Sequence, residues 1–198
     1  AYVNLNQLLL NEGIDPERVL VLRHSPYEPE LKKIFPWLVA ERPDLVDAFQ
    51  RTHGPKLEKA MEQLTGDGYI ASFIGHEPGK ALFIGLFAIA GAKRISHEQF
   101  LRVPGVDELK RFGMIGWEAD QRSGLLFDLP LHDFYASWRR RLVVRWPPPE
   151  RSWWRRAHRN EIQVHAILEE NALDAAIPSW DDMEFTWEEL RILPTKWK

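Results

Sequence analysis

Two runs, GYIASFIG at 68–75 and KALFIGLFAIAG at 80–91, stand on either side of the tetrapeptide HEPG. Both are rich in Ile, Phe and Tyr, residues that suit a pleated and buried surface. Between them Pro78 presets one backbone angle and Gly79 lacks a Cβ, which is hairpin-turn chemistry. The pattern predicts an antiparallel strand pair and commits this part of the chain to a sheet.

The residues before the pair have a different period. LNQLLLNEG reads as a short amphipathic helix ending at Gly13, a C′ position. IDPERVLVLRH contains VLVL, a brief apolar strand. The stretch EPELKKIFPWLVAERPDLVDAFQRTHG places Leu31, Ile34, Phe35 and Leu38 at helical spacing, punctuated by Pro36 and Pro43. Pro55 is placed to open the helix PKLEKAMEQL, with Leu57, Ala60, Met61 and Leu64 on one face.

Beyond the pair, SHEQFLRV and PGVDELKRFG read as short helices, the first capped by Ser96. GLLFDLPL, RLVVRW and EIQVHAIL read as strands, and WEELRIL as helical or extended. Helices therefore come first and strands follow. The expected class is α+β, with a helical part at 1–66 packed on a mostly antiparallel, open β-barrel-like part at 67–198, as one compact unit. A PUA-like barrel or a DNA-binding pseudobarrel is the expected shape of that second part.

A chain of 198 residues suffices for one well-filled core. No run of about 18 apolar residues is present, so no bilayer span is expected. The first residues show no basic segment followed by an apolar one, so no signal peptide is expected. The absence of cysteine excludes disulfides, thiolate metal sites and cysteine nucleophiles, and it suits a cytoplasmic location.

The net charge of −3 conceals a strong division. Arg139, Arg140, Arg141, Arg145, Arg151, Arg155, Arg156 and Arg159 face one acid, Glu150, between 139 and 159. From 160 onward acids dominate. The basic stretch RWPPPERSWWRRAHRN also carries Trp153 and Trp154. Guanidinium groups hold phosphate or a guanine edge, and indole faces stack on an unpaired base. The plainer reading makes one indole part of the core with arginines around it; neighbours in a regular element point apart, so one Trp is expected buried and one available. Strand alternation puts Arg141, Val143 and Arg145 on one face of RLVVRW, and Leu142, Val144 and Trp146 on the other. The hairpin tip, with His76 and Lys80, is a second candidate contact, against the reading of a plain turn.

Catalytic signatures fall short. GHEPGKA has three residues between its glycines, where a P-loop needs four, and Ala81 stands where Ser or Thr is required. Asp44 after Pro43, with Glu108 and Lys110, imitates a nuclease signature, but both pieces lie in helical spacing. His158 and His165 flank a strand start without zinc-ligand spacing, and no GxSxG elbow occurs. No catalytic residue, metal or cofactor is expected of this chain.

YIASFIGHEPGKALFIGLF, RLVVRWPPPERSWWRRAHRNEIQVHAIL and WEELRILPTKWK together resemble the region preceding the nuclease domain in bacterial, restriction-like GIY-YIG nuclease family proteins. The likeness runs the length of the chain. It implies a DNA-recognition or sensor domain whose GIY-YIG endonuclease domain lies beyond the segment like LPTKW. GlyTyrIle at 68–70 is not the catalytic motif, so no catalytic residue is carried over. The expected function is binding DNA to position that nuclease in cis, reading a modified or flipped base. The residues expected to do so are Arg141, Arg145, Arg151, Trp153, Trp154, Arg155, Arg156 and Arg159. The alternative is a protein-interaction or dimerisation module that uses the basic 139–159 face. No membrane partner is expected, and a homodimer stays open.

Overall fold

Leu5, Leu8 and Leu9 recur at the spacing that gives a helix one apolar stripe, and the helix they form, α1 (Leu5–Asn11), buries all three. Asn4 caps it: its side chain accepts from the Gln7 backbone N–H, and the Gln7 side chain accepts from that of Asn4. Gly13, at φ +73°, follows in the left-handed conformation that ends a helix. The computed structural model describes residues 3–24, 39–50, 55–75, 79–106, 123–146, 154–155, 162–169 and 190–191.

Within those residues the strands are β1 (Val19–His24), β2 (Phe49–Gln50), β3 (Tyr69–Gly75), β4 (Lys80–Ala88), β5 (Gly91–Ile95), β6 (Gly124–Asp128), β7 (Leu142–Arg145), β8 (Trp154–Arg155), β9 (Gln163–Leu168) and β10 (Leu190–Arg191). Two further helices are α2 (Pro55–Leu64) and α3 (His97–Leu101). Ser96 caps α3 in a reciprocal box with Gln99, as the sequence predicts.

A large sheet has the order β10-β9-β7-β4-β3-β1-β8, and a small one β2-β6-β5. β1 and β3 run parallel; every other pairing of named strands is antiparallel. The predicted hairpin is present, with Tyr69 opposite Ala88 and Gly75 opposite Ala81.

Side-chain alternation divides the large sheet's residues between two cores. One face sends Val19, Val21, Ala71, Phe73, Phe83 and Val144 against α1. The other sends Leu20, Leu22, Ile70, Ile74, Leu82 and Val143 against Met61 and Leu64 of α2 and Leu125 and Phe127 of the small sheet. A sheet covered on both faces needs apolar residues at successive positions, which accounts for the unbroken texture of YIASFIG. Full burial of each Leu, Ile or Phe contributes about 1.5–3 kcal/mol. The interior also holds Asp47, Ser72 and His97.

The architecture is α+β, as expected. Among the described residues the large sheet is not closed into a barrel: β8 and β10 are its outer strands. Its two faces serve two separate cores. Three strands were not foreseen; one is β8, in the basic aromatic stretch after the proline run. Phe49 and Gln50 form β2, just after a 3-10 turn at Pro43–Val46, within a stretch whose spacing reads as helical. β5 carries the exposed residues Ala92, Lys93 and Arg94 and so lacks an apolar alternation. The predicted helices around Leu31–Leu38 and 107–113, and the HEPG turn at 76–78, lie outside the described residues.

Candidate nucleic-acid interface

Because β1 and β3 are parallel and β4, β7 and β9 alternate in direction, five strand termini meet at one end of the large sheet. These are the last residues of β1, β3 and β7 and the first of β4 and β9. Lys80 on β4 lies directly opposite Arg145 on β7, which in turn lies opposite Gln163 on β9. Arg23, near the end of β1, reaches the same place from the other face: its Nη2 donates to the Lys80 carbonyl at 3.4 Å.

Gly75 makes that reach feasible. A Cβ there would sit 2.6 Å from the Arg23 Cζ, so the guanidinium lies across the bare end of β3. On the other flank, the β7–β9 register shifts between Val143 and Val144, which leaves His165 as the extra residue. Such a bulge re-aims a side chain, and the His165 Nδ1 accepts from the Arg145 Nε at 3.3 Å. Trp146, buried beyond Arg145, packs against Phe73 and donates its backbone N–H to the Gly79 carbonyl, closing the hairpin against β7.

The described residues at this end include Arg23, Lys80, Arg145 and His165. At the opposite end both signs occur: Asp15, Glu17 and Arg18 precede β1, Asp67 precedes β3 and pairs with Arg18, and Arg139, Arg140 and Arg141 precede β7.

The expected arginine face of β7 is divided. Val143 is buried in the core at 1 % exposure and separates Arg145 from Arg141. Arg141 holds the fold: its Nε donates to the Leu168 carbonyl at 2.8 Å and its Nη1 to the Ser137 carbonyl at 2.9 Å. Leu142, Val144 and Trp146 share the other core, as alternation predicts. Trp154 and Arg155 form β8, whose backbone pairs with Leu22 and Val21 beside Arg23. The candidates Arg151, Trp153, Arg156, Arg159 and His76 lie outside the described residues, as do the side chains of Trp154 and Arg155. Lys80, the secondary candidate, sits at the centre of the cluster.

Sequence reading did not single out Arg23 or assign a role to His165. The only local signal for Arg23 was its place at the end of VLVLRH; the bulge at His165 has none. No helix among the described residues is long and apolar enough to cross a membrane. Comparison with protein-family models, with curated proteins and with solved structures finds no match for this chain.

Proposed function

We propose that this chain is a DNA-binding recognition module whose basic sheet end contacts the phosphate backbone. The observation that carries the reading is the facing of Lys80 and Arg145 across β4 and β7, with Arg23 delivered to the same place. Cations gathered at one strand end suit a polyanion, since each cation that neutralises a phosphate also releases a counterion. The basic aromatic stretch around β8, whose backbone pairs with Val21 and Leu22, is part of the same proposal.

The module binds rather than cleaves, acts without a cofactor in the cytoplasm, and positions a GIY-YIG nuclease domain in cis, in line with the resemblance of its sequence segments. Recognition of a modified or flipped base, in the manner of PUA-like barrels or DNA-binding pseudobarrels, belongs to the same proposal. The test is titration of labelled duplex and single-stranded DNA at increasing salt. Binding that weakens linearly on logarithmic axes is expected; affinity indifferent to ionic strength overturns the proposal.

A further inference from the structure

β9 changes face part-way along its length. Leu168 sits in the core on one side of the large sheet and Val164 in the core on the other, whereas strict alternation would put both on one face. The cause is the extra residue, His165, which stands between Ala166 opposite Val143 and Val164 opposite Val144. A shift of one residue in register exchanges the faces of everything beyond it. Without the bulge, Arg145 would lie opposite Val164, and Gln163 would lie opposite Trp146 and point into the core that Trp146 fills. With it, Gln163 is the partner of Arg145 and shares its face.

Lys80, Arg145 and Gln163 therefore stand in one row across β4, β7 and β9. At a strand spacing of about 4.8 Å, Gln163 is one step from Arg145 and roughly 10 Å from Lys80. It is half-buried, and among the described residues nothing bonds to its side chain. Its bridge partner on the other side, Asn4, has its Oδ1 engaged by the Gln7 N–H. A carboxamide carries no charge and so adds nothing to the long-range hold on phosphate. It does carry a donor and an acceptor side by side. Phosphate contacts set position, whereas contacts to base edges set sequence preference. Adenine presents the N7 acceptor and the N6–H donor together in the major groove, and one glutamine amide meets both.

We infer that Gln163 reads an adenine edge while the cations of the same row hold the backbone. This rests on the DNA-binding reading and names the residue that gives it sequence preference. The bulge at His165 is the device that turns the amide out of the core and into that row.

The experiment uses the full chain and two labelled duplexes of alternating adenine and thymine, one of them with 7-deazaadenine in place of adenine. That replacement deletes the N7 acceptor and leaves the phosphates unchanged. Wild type is expected to bind the deaza duplex roughly tenfold more weakly. Gln163→Met keeps an unbranched side chain of similar length without the amide. It should bind both duplexes alike, with the salt slope of wild type. Should it fail to fold, Gln163→Thr, a strand former that also lacks the amide, takes its place. A merely structural role would lower affinity for both duplexes together and keep the difference between them, so a variant that retains the wild-type difference overturns the inference. Wild type that binds both duplexes alike, with a steep salt dependence, removes the base contact and leaves the phosphate contact standing. Wild type that binds neither duplex overturns both readings.

Discussion

Replacing Lys80 and Arg145 together by glutamine removes two charges from facing positions while preserving polar side chains of comparable reach. Adjacent strands lie about 4.8 Å apart, and Lys80 and Arg145 are register partners, with Arg23 against the Lys80 carbonyl. Three cations so placed hold up to three phosphates. At a slope of about 0.9 per phosphate on duplex DNA, this end contributes roughly 2.7 to the salt dependence of wild type, and only about 0.9 to that of the variant. Raising salt from about 50 to about 200 mM then costs wild type about 40-fold at this end and the variant about 3.5-fold. The gap in affinity between the two proteins narrows by about 12-fold over that interval. Fluorescence anisotropy at several sodium chloride concentrations measures both lines, and a urea midpoint verifies folding. Parallel lines, with the variant merely displaced, would refute the reasoning, because they mean that the two side chains support the fold without touching phosphate.

Gly68→Ala should destabilise the protein by about 2–3 kcal/mol. Its Cβ would meet the Leu64 carbonyl oxygen at 2.6 Å, in the turn where Gly68 donates to that oxygen and accepts from Ile89. Urea unfolding reads the loss, and a variant of wild-type stability would mean that the turn relaxes freely. Arg141→Gln leaves the Leu168 and Ser137 carbonyls without their charged donor. A cost of about 1–3 kcal/mol is expected, with the salt slope of DNA binding unchanged; a shallower slope would return Arg141 to the interface. Burial raises the Tyr135 pKa above the ordinary tyrosine value, against the lowering effect of its bond from Asn11, and Glu12 raises it further. The folded state therefore holds the phenolic proton more tightly than the unfolded chain. That stability is complete below the unfolded pKa and disappears as pH rises through the folded one. Denaturation followed above about pH 10 should show a steeper alkaline decline for wild type than for Tyr135→Phe, and identical profiles would refute the linkage.

Short-range signals were legible. The Ile and Phe runs about HEPG became β3 and β4, Ser96 capped its helix, and Ala60, Met61 and Leu64 turned one face of α2 inward. The same local logic failed at β5, whose exposed Ala92, Lys93 and Arg94 offer no apolar period, and at β2, where partners on β6 override a helical spacing. At β7 alternation held, with Val143 facing one core and Leu142, Val144 and Trp146 the other; it could not show that Val143 is covered or that Arg141 donates to nearby carbonyls.

By itself the amino-acid order determined the strands β1, β3, β4, β6, β7 and β9, the helices α1, α2 and α3, and the concentration of arginine around 139–159. Those properties depend on neighbours a few positions apart. Only the tertiary structure decided that Arg23, Lys80 and Arg145 share one sheet end, and that Gln163 lies beside Arg145. Strand order, the parallel course of β1 beside β3, and the bulge that re-aims His165 depend on how two cores fill opposite faces of one sheet. That packing joins residues more than a hundred positions apart, beyond the reach of any local pattern.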